Sequence, residues 1–177
     1  MPTLPERVIA VDRALATISH AFGGALALAY HAEPRGTRDI DCNVFVPASN
    51  AMSVFEPLAA LGVTIDGAVD DVERDGQVRV MWDAVPIDLF FSYDAFHDAA
   101  DRDAITVPFA DIEIRVLSSS HLTVCKVVFD RPRDWVDIDA MLDCGTAIDI
   151  AEVMRWVGRI CGDTDPRFTR IAAVLSR

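Results

Sequence analysis

Lysine is almost missing from this chain: fifteen of its sixteen basic residues are arginine, and Lys126 is the single lysine. Basic residues are also outnumbered by 28 Asp and Glu, for a net charge of −12. A large polyanion is a poor partner for such a chain unless the arginines converge somewhere. Residues 1–125 hold 8 basic and 19 acidic side chains, residues 126–177 hold 8 and 9. The only candidates for a basic patch are therefore Arg131, Arg133, Arg155, Arg159, Arg167 and Arg170. No stretch of about twenty uninterrupted apolar residues exists, so no membrane span is expected. The start, Met1-Pro2-Thr3-Leu4-Pro5, lacks a basic region followed by an apolar run, so no signal peptide is expected. The four cysteines, at 42, 125, 144 and 161, show neither CxxC nor zinc-like spacing and are expected as buried thiols of a cytoplasmic protein. The four histidines form no metal-ligand pattern, and His20 reads as structural. Repeats, low-complexity tracts and long linkers are absent. What remains, 177 residues of which 51% are hydrophobic, suffices for one core.

Against that background the stretch Phe22-Gly23-Gly24, followed after fourteen residues by Asp39-Ile40-Asp41, stands out. A glycine pair suits a tight turn in which backbone N–H groups face an anion, the more so with a helix behind it. On the strand expected from Asp39 to Val46, residues two apart share a face, with Asp39, Asp41 and Asn43 on one side and Ile40, Cys42 and Val44 on the other. Two carboxylates beside a phosphate-cradling turn suit divalent metal on a nucleoside triphosphate. Asp-x-Asp recurs at Asp101/Asp103, Asp137/Asp139 and Asp163/Asp165. Asp137/Asp139 falls in an expected helix, where the two side chains diverge. The other two pairs sit in polar, turn-like surroundings. Only Asp39/Asp41 leads into an apolar strand.

A third carboxylate stands within Val85-Pro86-Ile87-Asp88-Leu89-Phe90-Phe91. A lone charge in an apolar strand needs a partner, and a metal ion would supply one; a strand edge turned to water is the bland reading. With Gln77–Trp82 this segment forms an expected hairpin around residues 83–85, so Asp83 is explained by its turn position. Downstream, Ser118 to Phe129 reads as a helix capped by Ser118, Ser119 or Ser120 and carrying Lys126. A compact ammonium acts as a point charge on phosphates; a lysine snorkelling from a core helix is the alternative. Pro132 starts the next helix, on which Asp134 and Asp137 share a face, and Asp134 also suits a helix start on dipole grounds.

The element order gives an α/β chain. A helix is expected over residues 4–19, a short strand into the glycine pair, and a helix from Ala25 to about Ala32. The Asp39/Asp41 strand follows, then a helix over about 50–61, the Asp88 hairpin, and a further hairpin from residues 105–107 and 112–116. The rest is helical. A small mixed sheet flanked by helices is expected over about 1–117, with a helical part over about 118–177, in a single domain.

These motifs resemble the nucleotidyltransferase superfamily, whose members carry a Gly-Gly/Ser turn, an Asp-hydrophobic-Asp strand and a later third acid. Gly23-Gly24-Ala25 with Arg35-Gly36-Thr37-Arg38-Asp39-Ile40-Asp41 looks like the branch of AbiEii-type toxins. The run Val85 to Phe91 matches where that family places its third acid. Lys126, Arg131-Pro132-Arg133 and the aspartates at 134 and 137 resemble the branch's later motifs, although relatives often have acids where this chain has Ser120-His121. The resemblance implies transfer of a nucleoside monophosphate from NTP, ATP included, to an acceptor hydroxyl. It implies Mg²⁺ or Mn²⁺ on Asp39, Asp41 and Asp88, with Gly23, Gly24, Lys126 and Arg35, Thr37 or Arg38 on the phosphates. An acid of the later helix, Asp134 or Asp137, would support the site. The acceptor it implies is a tRNA end as in the toxins, a small molecule or a protein side chain, and a toxin would have a cognate antitoxin as partner. A non-catalytic nucleotide-binding or partner module on the same fold is the competing class.

Overall fold

Alternation of buried and exposed side chains along β-forming segments builds the sheet on which the candidate residues stand. The computed structural model describes residues 2–177, and Met1 of the N-terminal stretch considered above lies outside the described residues. The chain forms two compact units, Met1–Leu26 with Gly36–Leu117 and Ala27–Arg35 with Ser118–Arg177.

The first unit opens with α1 (Leu4–Ala14), capped by Thr3, whose hydroxyl accepts from the Glu6 N–H while the Glu6 carboxylate accepts from the Thr3 N–H. The helix buries Val8 and Val11 and stops five residues short of the expected Ser19. Leu15 and Ile18 close it with a tighter turn that leaves room for β1 (His20–Phe22). A short helix, α2 (Gly24–Leu28), ends well before Ala32 because the chain turns tightly at Tyr30 and His31. The strands β2 (Ile40–Pro47), β3 (Gln77–Trp82), β4 (Val85–Ser92), β5 (Ile105–Phe109) and β6 (Ile112–Val116) complete a six-stranded mixed sheet of order β3-β4-β2-β1-β6-β5. The pairs β2–β4 and β1–β6 are parallel and the other three antiparallel. Ile40, Cys42 and Val44 of β2 and Ile87, Leu89 and Phe91 of β4 are wholly buried, which turns the intervening residues to the other face. The sheet and both expected hairpins agree with the sequence reading.

The helix α3 (Ala51–Ala59) follows a 3-10 turn at Ala48–Asn50. Two helices of this unit were not expected. In α4 (Ala68–Asp75) only Ala68 and Val72 are buried, too few to leave a helical period in the sequence. In α5 (Ala95–Asp103), Asp94 caps the start by accepting from the Phe96 N–H. Asp101 and Asp103, expected in a turn, therefore lie in a helix, and Asp101 pairs with Arg115 at 2.9 Å.

The second unit packs α6 (Ser119–Phe129), α7 (Pro132–Asp143), α8 (Ile150–Cys161) and α9 (Pro166–Leu175) around Leu122, Val127, Ile138, Met141, Val153, Val157 and Ile171. Ser118 caps α6 by accepting from the His121 N–H. The expectation of buried thiols holds for Cys42 alone: Cys144 is exposed and Cys125 and Cys161 are half-buried, because they fall on the outer sides of their helices or beyond the end of α7. All four are free thiols. Among the described residues no helix is long and apolar enough to cross a membrane.

Candidate active site

Three adjacent strands align three charged residues in one row. In the parallel pair Asp41 stands opposite Asp88, and in the antiparallel pair Asp88 stands opposite Arg79. Register partners on neighbouring strands, roughly 4.8 Å apart, point to the same face. The burial of Val78, Val80 and Trp82 on β3, of Ile87 and Leu89 on β4, and of Ile40 and Cys42 on β2 commits the opposite face to these charges. Asp39 immediately precedes β2, and its carboxylate accepts a hydrogen bond from the Thr37 hydroxyl.

The glycine pair lies against Asp41. The Gly23 N–H donates to the Asp41 carbonyl at 2.9 Å, continuing the β1–β2 pairing. Gly24 has φ +50°, and a Cβ there would fall 1.8 Å from Asp41 Oδ2. No side chain fits between that backbone and that carboxylate. A Cβ on Gly23 would fall 3.0 Å from Asn43 Nδ2, so Asn43, two residues beyond Asp41, lines the same turn.

Asp88 has a protein partner that the sequence reading missed. Arg79 donates through Nε and a terminal nitrogen to the two Asp88 oxygens, both at 2.7 Å. The pair is lopsided in exposure: 16% for the Asp88 side chain and 58% for Arg79. Hydrogen bonding to Asp88 and its charge hold the Arg79 pKa above the ordinary arginine value, with smaller pulls from Asp39 and Asp41. One guanidinium thus sits in the field of three carboxylates. Counting back three residues on each side of the hairpin turn, from Trp82/Val85 to Arg79/Asp88, would have found this pairing in the sequence. The donor set here is carboxylate oxygen throughout, the hard-ligand chemistry that Mg²⁺ and Mn²⁺ prefer, and the side chain that would crowd Asp41 is missing at Gly24. By donor type these residues suit such an ion, while both Asp88 oxygens are engaged by Arg79.

The remaining sequence candidates divide differently. Arg38 is exposed and Thr37 half-buried, both just ahead of Asp39. Arg35 belongs to the second unit, where it grips Asp137 with two hydrogen bonds of 2.9 Å. Lys126 Nζ donates to the same Asp137 at 2.5 Å and lies 3.7 Å from Asp134. Lys126, Asp134 and Asp137 are all 3% exposed or less. Asp134 also accepts from the Arg131 backbone N–H at 3.1 Å and from its guanidinium at 2.7 Å, so it caps α7. Burial pushes the Asp137 carboxyl up, but the hydrogen bonds and charges of Arg35 and Lys126 outweigh it and hold the group below the usual carboxylate range. The sequence pointed at Lys126 and both aspartates; their closure into a buried network was not visible there.

Several arginines of the C-terminal helices carry their own acids. Arg155 pairs with Glu152 at 2.7 Å, Arg167 with Asp165 at 2.9 Å and Arg131 with Asp134 at 2.7 Å. Arg155 and Arg170 also lie over the rings of Trp156 and Trp135.

No protein-family model matches this sequence, and no curated protein matches it. Solved structures do. The solution structure of the antibiotic-resistance factor ANT(2'')-Ia is similar with a TM-score of 0.62 at 14% identity, over 96% of this chain and 93% of that one. The crystal structure of ANT(2'')-Ia in complex with adenylyl-2''-tobramycin gives 0.59 at 12% identity, over 88% of this chain and 95% of that one. These neighbours are nucleotidyltransferases, and this chain has their fold: a six-stranded mixed sheet with flanking helices.

Proposed function

We propose that this protein is a metal-dependent nucleotidyltransferase that moves a nucleoside monophosphate from NTP to the hydroxyl of a small acceptor. The observation that carries the reading is the Asp41–Asp88 row with Gly24 pressed against the Asp41 carboxylate, on a fold shared with ANT(2'')-Ia. Asp39, Asp41 and Asp88 would hold Mg²⁺ or Mn²⁺. Bound there, a divalent ion supplies Lewis-acid stabilisation of charge on the phosphates. Gly23 and Gly24 bring backbone close to the acids, and Thr37 orients the Asp39 carboxylate. Asp88 receives the acceptor's proton as the acceptor oxygen bonds to the α-phosphorus; the bond from that phosphorus to the bridging oxygen breaks, and pyrophosphate leaves.

A small hydroxylated amine suits the acceptor role better than a polyanion. The net charge is −12, and the C-terminal arginines Arg131, Arg155 and Arg167 are each neutralised by an aspartate or glutamate of their own unit. ANT(2'')-Ia, an antibiotic-resistance factor, was solved in complex with adenylyl-2''-tobramycin. Lys126, Arg35 and Asp134 enter this reading as the charge network of the helical unit. The test is incubation with each α-labelled NTP and Mg²⁺, against a panel of small polyhydroxylated amines and against total tRNA. Label on a small acceptor supports the proposal. Label on tRNA alone moves the protein to the toxin-like branch, and transfer to neither leaves a nucleotide-binding module.

A further inference from the structure

The Asp88–Arg79 pair joins the carboxylate proposed to hold metal with a cation already in place. Each Asp88 oxygen accepts from the same guanidinium at 2.7 Å, which takes about half of the carboxylate's lone-pair sites and sets a positive charge where a metal ion would approach. The two partners come from the two arms of one hairpin in direct register, which makes the pairing a consequence of the fold. Arg79 is mostly exposed, with solvent around its long side chain, whereas Asp88 is confined to the row. Of the two, Arg79 is the one free to move.

We propose that Arg79 is the resident counter-ion of Asp88, which a divalent cation must displace, and that the displaced guanidinium then turns to the phosphates of the arriving nucleotide. This rests on the metal site proposed above. Without the ion, Arg79 offsets part of the repulsion among Asp39, Asp41 and Asp88, carboxylates that all act on it. With the ion in place the balance inverts: a divalent charge beside a guanidinium is repulsive until that guanidinium finds an anion. The phosphates that accompany the ion supply one, and a planar two-pronged donor suits them. Metal alone should therefore bind weakly, and metal with nucleotide much more tightly. Arg79 thus exchanges one anion, Asp88, for another, the nucleotide phosphates.

The experiment is Mn²⁺ binding by electron paramagnetic resonance, with and without an NTP analogue whose α,β bridge cannot be cleaved. The proteins are wild type, Arg79→Met, Arg79→Gln, Arg79→Lys and Asp41→Asn, each checked for native circular dichroism. Arg79→Met and Arg79→Gln are expected to bind Mn²⁺ alone about tenfold more tightly than wild type and to lose most of the gain conferred by the analogue. Arg79→Lys, with its single contact, should fall between. If wild type binds Mn²⁺ and Asp41→Asn does not, while the Arg79 variants match wild type in both conditions, the counter-ion role is overturned and the metal site stands. Absence of Mn²⁺ binding in every protein, with or without the analogue, overturns both.

Discussion

The acid row on the sheet and the ion network among the C-terminal helices are made of the same residue types, yet they differ in accounting and in exposure. In the row, Asp88 is paired with Arg79, on which Asp39 and Asp41 also act, and the side chains stand on a face that is half open to solvent. In the network, Asp134 and Asp137 are met by Lys126, Arg35 and Arg131, and all the acid oxygens are within the protein. A buried charge must be answered by the fold itself, because water cannot answer it. A half-exposed excess of one sign can wait for an ion from solution. The network's arrangement ties helices together; the row's arrangement is the one that would leave a place for a ligand.

Single substitutions test that contrast, the largest effect first. Asp41→Asn removes one carboxylate from the open row, so transfer should fall about a thousandfold, equivalent to about 4 kcal/mol, with the melting temperature unchanged. Steady-state kinetics showing activity within threefold of wild type would remove Asp41 from the site. Asp137→Ala should do the reverse: it strands Lys126 and Arg35, and urea denaturation should report a loss of about 3 kcal/mol, at the low end for a broken buried pair because Arg35 is partly solvated. A loss below about 0.5 kcal/mol would make the network no more than a surface pair. Gly24→Ala strains a residue at positive φ and collides with Asp41 Oδ2, so about 1–2 kcal/mol of stability should go. Mn²⁺ binding should weaken with it; an unperturbed variant would show that Asp41 moves aside freely.

The smallest effect is in acid. Asp137 has a folded pKa below its unfolded value of about 3.9, so it contributes stability above that value and loses it as pH falls through the folded pKa. Denaturation below about pH 4 should accordingly be steeper for wild type than for Asp137→Asn. Parallel slopes would mean that Asp137 is not held ionised by Arg35 and Lys126.

Much of the site was legible because its signals are local. Asp39 and Asp41 stand out by alternation with Ile40 and Cys42, Gly23 and Gly24 by adjacency, and Asp88 by being the one charge in an apolar strand. Both hairpins followed from apolar alternation bracketing a short turn. The helices α4 and α5 escaped because their stability comes from a few buried residues and from caps, which leave little periodicity.

Sequence by itself determined which residues carry charge and that Asp41 and Asp88 stand on the strand faces opposite to the buried apolar residues, since side-chain alternation is a property of the backbone. Tertiary structure alone decided who partners whom. Parallel pairing brought β2 beside β4, residues 45 or more apart in the chain, and so set Asp41 opposite Asp88. Folding of the helical unit brought Arg35 to Asp137, separated by 102 residues. Salt bridges depend on distance in space, and nothing in the composition of a segment states which distant segment it will meet.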